Sequence, residues 1–198
     1  MTEIILATAN PGKIKEIEAA LASPGIKWLT AANFKDWPEV DETEPDFEGN
    51  AVKKATTLAA YFGKLALADD SGLEVDALGG RPGVHSASFS GPDSTAELNN
   101  AKLLAELADV PYDQRRAHFR CVVALADPDG NVDTAEGSVS GHIVMHAAGD
   151  KGFGYDPLFI PDGRDHTMAE LDLAEKNEIS HRGRALRRMA GIISDRLS

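Results

Sequence analysis

Apolar and polar residues alternate with two different periods along this 198-residue chain, and the switches between them mark its elements. Ile4-Ile5-Leu6-Ala7 is a short apolar run, which predicts a buried strand. Thr8-Ala9-Asn10-Pro11-Gly12 interrupts it, and Ile14, Ile17 and Leu21 then fall on one face of a helix. Asn10 suits the N-cap of that helix and Pro11 its first position. A second helix is predicted from about Pro45 to Phe62, with Phe47, Ala51, Ala55, Leu58 and Phe62 as its stripe. Leu65-Ala66-Leu67-Ala68 reads as a second strand that ends at Asp69-Asp70-Ser71-Gly72. The Gly- and Ser-rich stretch from Gly79 to Gly91 reads as loop with short extended pieces. Ser94-Thr95-Ala96-Glu97 has the pattern of a capping box opening a third helix to about Ala108. His118 to Ala126 is β-rich, Asp127-Pro128-Asp129-Gly130 is a turn, and Val132 to Val144 gives one or two further strands. Gly149 to Pro157 is a loop. The last helix starts near Ser180 and carries Ala185, Leu186, Met189, Ile193 and Leu197 on one face. Interleaved strands and helices, with an antiparallel stretch after residue 115, predict an α/β fold with a mixed sheet.

The length suits one sizeable domain or two small lobes. The formal net charge of -12 argues against a nucleic-acid polymer as partner, since polymer binding needs a basic surface. A small phosphate ligand needs only local cations or a metal ion. Cys121 is the only cysteine and sits in the apolar run Cys121-Val122-Val123-Ala124-Leu125, which reads as core packing. There is no signal-like start and no apolar stretch long enough to span a membrane, so the expectation is no membrane partner and a cytoplasmic location.

Four segments carry candidate chemistry. Thr8-Ala9-Asn10-Pro11-Gly12-Lys13 lies between a strand and a helix start, where free N–H groups and the helix dipole attract phosphate. The competing reading is an ordinary capped helix with a surface lysine. Asp69 and Asp70 close an apolar strand, and adjacent carboxylates near a core are costly unless something pairs them. They suit a magnesium ion, which binds through one or two carboxylates plus waters and substrate phosphates. A turn is the alternative there. Phe153-Gly154-Tyr155-Asp156 offers rings for stacking on a base and a glycine for close approach. Lys176 and Ser180-His181-Arg182-Gly183 put cations near the start of the last helix, where they oppose its dipole. Ser71 is a poor nucleophile candidate, because Asp69 stands where a nucleophile elbow needs glycine. Metal-assisted attack by water is the better reading.

Taken together, Thr8-Ala9-Asn10-Pro11-Gly12-Lys13, Ala68-Asp69-Asp70-Ser71-Gly72-Leu73, Gly152-Phe153-Gly154-Tyr155-Asp156-Pro157 and Ser180-His181-Arg182-Gly183 resemble the signature blocks of the inosine triphosphate pyrophosphatase family. These are the XTP/dITP diphosphatases, which remove non-standard purine nucleotides. The blocks occur in the family's order and span residues 8 to 183. The resemblance implies a single domain over residues 1–198, with an elongated mixed sheet flanked by helices and two lobes around a central substrate cleft. It also implies a homodimer and Mg2+. By the same resemblance Thr8, Ala9, Asn10, Pro11, Gly12 and Lys13 hold the triphosphate, and Asp70 is general base and metal ligand. Glu42 and Asp69 are further metal-site carboxylates, and Ser71 touches substrate. Phe153, Gly154, Tyr155 and Asp156 form the base loop, and Lys176, His181 and Arg182 read the 6-keto group. The expected reaction is hydrolysis of dITP, ITP, XTP or dXTP to the monophosphate and pyrophosphate. Rival readings are a pyrophosphatase for other nucleotides and a non-catalytic nucleotide-binding protein.

Overall fold

The computed structural model describes residues 1–197. Its strands are β1 (Thr2–Leu6), β2 (Ile26–Leu29), β3 (Leu65–Val75), β4 (Arg116–Ala126), β5 (Val132–Ile143) and β6 (Phe159–Pro161). Its helices are α1 (Pro11–Ala20), α2 (Phe47–Phe62), α3 (Ala96–Glu106), α4 (Leu173–Ile179) and α5 (His181–Leu197). The strands make one six-stranded sheet in the order β2-β1-β3-β4-β5-β6. β1 pairs in parallel with β2 and β3, and β5 pairs antiparallel with β6, so the sheet is mixed as expected.

The contacts divide the chain into two compact units. One holds Met1–Asp70, Cys121–Gly137 and the chain from Arg182 on; the other holds Ser71–Arg120 and Ser138–His181. In the first unit, Ile4 and Leu6 of β1 and Leu67 of β3 pack with Ile17 and Leu21 of α1. Cys121, Val123 and Leu125 of β4 and Ala185, Leu186, Met189 and Ile193 of α5 complete this core. Each fully buried aliphatic side chain of this kind contributes about 1.5–3 kcal/mol. The second unit has its own core, built on Leu73, Leu103, Leu107, Phe119, Tyr155, Phe159 and Met168.

The α1 start forms as its residues dictate. The Asn10 side chain accepts from the backbone N–H groups of Gly12 (2.9 Å) and Lys13 (3.2 Å), with Pro11 opening the helix. Two predicted boundaries shift. α3 is capped by Thr95, which accepts from Leu98 N, while the Ser94 hydroxyl donates to the Ala87 carbonyl instead. β3 does not end at Asp69 but continues to Val75. The carboxylates there are met by cations, which removes the reason for the chain to leave the core. Three short elements, β2, β6 and α4, were not anticipated from periodicity, since four, three and seven residues give no full repeat. β6 approaches β5 so closely that a Cβ on Gly141 would lie 2.1 Å from the Ile160 carbonyl oxygen.

Candidate active site

In the first unit β3 carries Asp69 into a fully buried position. Its Oδ2 lies 3.0 Å from Lys13 Nζ of α1 and 3.1 Å from both Nε and Nη2 of Arg182 at the start of α5. Arg182 Nη1 turns to Glu16 Oε2 of α1 at 2.5 Å. Two carboxylates and two cations from three elements thus balance one another, apart from the bulk of the solvent. Burial by itself would push the Asp69 carboxyl up, but Lys13, Arg182 and Lys54 overcome that and hold it well below the usual carboxylate range. Burial likewise works against the Arg182 charge, and Asp69 and Glu16 more than restore it. The Cys121 thiol beside them, 3.9 Å from Asp69 Oδ2, is pushed up to about 12 by burial and by the Asp69 charge. The core reading of Cys121 agrees with this placement.

Asp70 faces a different set of groups. Asn50 Nδ2 of α2 donates to its Oδ2 at 3.1 Å. Lys54 Nζ, one turn further along α2, lies 3.6 Å from Asp70 Oδ1 and donates to Glu42 Oε1 at 2.6 Å and to the Asp69 carbonyl at 2.8 Å. Lys54 therefore bridges Glu42 and Asp70. Burial raises the Asp70 carboxyl above its ordinary value; Lys54 opposes the rise and Glu42 adds to it. Burial disfavours the Lys54 ammonium, but Asp70, Asp69 and Glu42 together hold its pKa above the ordinary lysine value. The Asn50 Oδ1 accepts from Glu44 N at 3.0 Å, which ties the acidic loop to α2.

Glu16, Asn50 and Lys54 were absent from the sequence reading. A signal for them existed. Asn50 and Lys54 are four apart, each beside a residue of the Phe47-Ala51-Ala55-Leu58 stripe, and both are buried. Glu16 is likewise buried next to Ile17. Polar residues on the buried side of a helix call for partners.

In the second unit the aromatic loop is pinned residue by residue. Phe153 N donates to Asp156 Oδ2 at 2.8 Å, and the buried Lys176 of α4 pairs with the same oxygen. Lys176 Nζ also sits over the Phe153 ring, 4.5 Å from its centre. The Gly154 carbonyl accepts from Asn100 Nδ2 at 3.0 Å, and the Tyr155 hydroxyl donates to the Ser86 carbonyl at 2.9 Å. Gly152 has φ +73, and a Cβ there would lie 2.2 Å from Asp156 Oδ2. His181 stacks on Phe119 with ring centres 4.7 Å apart and planes 9° apart. Ser71, next to Asp70 on β3, is half-buried.

Among the described residues no three His, Cys, Asp or Glu side chains converge as a ready-made metal cage. The donors that lie together are Glu42 and Asp70, linked through one ammonium. Hard carboxylate oxygens in that number fit a magnesium ion, which takes its remaining ligands from water and substrate phosphates. Asp69 presents its Oδ2 to Lys13 and Arg182, and its Oδ1 is buried with no hydrogen-bond partner among the described residues.

A capped strand–helix turn with an adjacent lysine, and a carboxylate pair flanked by cations, define a class: α/β proteins whose local cations suit a phosphate-bearing ligand. The chain belongs to the Ham1 family, whose model matches residues 4–192. It is 50% identical over 192 residues to a dITP/XTP pyrophosphatase of Desulforamulus reducens, covering 97% of this chain and 96% of the relative. It is 52% identical over 186 residues to a dITP/XTP pyrophosphatase of Geobacter sulfurreducens, covering 94% of each. A solved HAM1 protein from Coxiella burnetii superposes with a TM-score of 0.89 at 38% identity, covering 98% of this chain and 100% of that one. No described helix is long and apolar enough to cross a membrane.

Proposed function

We infer that this chain hydrolyses non-standard purine nucleoside triphosphates, dITP, ITP, XTP and dXTP, to the monophosphate and pyrophosphate. The relatives' named activity supports the reaction. The observation that carries its chemistry is the environment of Asp70: a carboxyl raised by burial, hydrogen-bonded by Asn50 and faced by Lys54 and Glu42. A carboxylate held in place by Asn50 and Lys54 can take the proton of an attacking water within hydrogen-bond reach.

Water adds across the α–β anhydride. Its oxygen bonds to phosphorus, its proton passes to Asp70, and the bond to the bridging oxygen breaks to release pyrophosphate. Within Thr8 to Lys13 the phosphate oxygens are received by the Lys13 ammonium and the Thr8 hydroxyl, since the Gly12 and Lys13 N–H groups are given to the Asn10 side chain. Glu42 and Asp70 would hold magnesium, which when bound neutralises part of the triphosphate charge. Asp69, paired with Lys13 and Arg182, fixes the position of both cations rather than offering its Oδ2 to a metal. Phe153 stacks on the purine, and Lys176 and His181 donate toward its O6. Adenine carries an amino group at that position, so a buried donor goes unpaired at a cost of about 1–3 kcal/mol. The homodimer and the cytoplasmic setting belong to this same reading.

The test is pyrophosphate release from dITP, XTP, GTP and ATP, with magnesium and with EDTA, by wild type and Asp70→Asn. Magnesium-dependent release from dITP and XTP, weak from GTP and ATP and abolished in the variant, is the expected result. Binding of dITP with no release from any nucleotide would overturn the enzymatic reading.

A further inference from the structure

The base loop is held by three separate tethers on three consecutive residues, and one of them comes from α3. Phe153 is fixed through its N–H by Asp156, and Tyr155 through its hydroxyl by the Ser86 carbonyl. The peptide unit between Gly154 and Tyr155 is fixed by Asn100 of α3, whose Nδ2 donates to the Gly154 carbonyl at 3.0 Å. Gly154 has φ +60 and no side chain to restrict it, so this is the point at which the loop has most freedom to turn.

The neighbouring residue on α3 shows the same use of an amide. Asn99 Oδ1 accepts from Ser90 N at 2.7 Å, and its Nδ2 donates to the carbonyls of Ser86 (3.3 Å) and Ala87 (3.0 Å). Asn99 thus holds the Ser86 carbonyl that receives Tyr155. Consecutive helix residues point about 100° apart. One amide therefore serves the segment around Ser86 and the next serves the base loop. The Asn100 side chain cannot be reversed, since its oxygen would then oppose the Gly154 carbonyl oxygen at 3.0 Å. In the orientation it has, Asn100 Oδ1 is buried with no hydrogen-bond partner among the described residues. A buried orphan acceptor is unfavourable. The amide is thus a poor choice for stability alone, and its donor goes to the base loop.

We propose that Asn100 is a positioning residue for base selection, acting through the Gly154 carbonyl to set the Phe153 ring. It rests on the reading of the 153–156 loop as the purine site. Asn100→Leu removes the donor at similar volume, and Asn100→Ser keeps a shorter donor. Four quantities are compared with wild type: kcat and KM for dITP and for dGTP, the dissociation constant of inorganic tripolyphosphate, and Tm. Loss of one hydrogen bond predicts that Asn100→Leu raises KM for dITP by about three- to tenfold and narrows discrimination against dGTP by a similar factor. kcat, set by the chemistry at Asp70, and the binding of tripolyphosphate, which carries no purine, stay within about twofold, and Asn100→Ser recovers part of the dITP KM. Unchanged KM and discrimination in Asn100→Leu would overturn the proposal. So would a parallel loss of tripolyphosphate binding and dITP affinity, which marks a general structural role. Wild type that releases no pyrophosphate from dITP overturns the underlying loop reading as well, and is seen before any variant is made.

Discussion

Asp69 and Asp70 are consecutive residues of β3, yet their carboxyls are driven in opposite directions. Lys13 and Arg182 hold Asp69 far below the usual range, while burial lifts Asp70 above it. Alternation along a strand sends neighbouring side chains to opposite faces. One face of β3 meets the cations of α1 and α5, the other meets Asn50 and Lys54 of α2. The two residues are therefore separable by mutation.

Asp70→Asn keeps the shape and removes the base. We expect kcat to fall by about 10²- to 10⁴-fold, the usual contribution of a general base, with Tm within a few degrees of wild type. Steady-state kinetics and calorimetry on the same preparation check both halves.

Asp69→Asn is expected to show first in stability. It leaves Arg182 with Glu16 as its only carboxylate partner within the cluster and deprives Lys13 of its 3.0 Å contact. Removing one partner of a buried ion-pair cluster costs about 3–5 kcal/mol, measured by chemical denaturation. A stability equal to that of wild type contradicts the structural assignment of Asp69.

Gly152→Ala places a Cβ against Asp156 Oδ2 at a positive φ. The carboxylate has to move, and with it the Phe153 N–H and Lys176 contacts. We expect KM for dITP to rise by about tenfold, since strain at such a position is worth about 1–3 kcal/mol. Inorganic tripolyphosphate should bind as before.

Cys121 is buried and its thiol is pushed up to about 12. A thiol-specific reagent at pH 8 should find no reactive group in the native protein and one per chain in denaturant. The folded state keeps its proton where the unfolded thiol, of pKa about 8.5, has lost it. The thiol's contribution to stability is thus present below about pH 8.5 and is lost as pH rises toward 12. Cys121→Val should flatten the decline of stability above pH 9, compared by denaturant titration at several pH values.

Several elements were legible from the chain because their signals are local. Asn10 and Pro11 set the α1 start, and the 3.6-residue stripes of α2 and α5 marked their buried faces, save at their ends, where Phe62 is half-buried and Leu197 exposed. The four motif blocks pointed to the family and to the residues of interest. What they could not contain is the pairing. Asp69 reads in sequence as the end of a strand and a metal ligand; in the fold it is the partner of Lys13, 56 positions before it, and of Arg182, 113 positions after it. Lys54 reads as one lysine among several on a helix, and only the placement of α2 makes it the bridge from Glu42 to Asp70. Caps and periodicity act over one helical turn, so composition and spacing determine them. Charge compensation acts between side chains that meet only when distant segments pack, and the direction of each carboxyl's pKa shift was therefore decided by the tertiary structure.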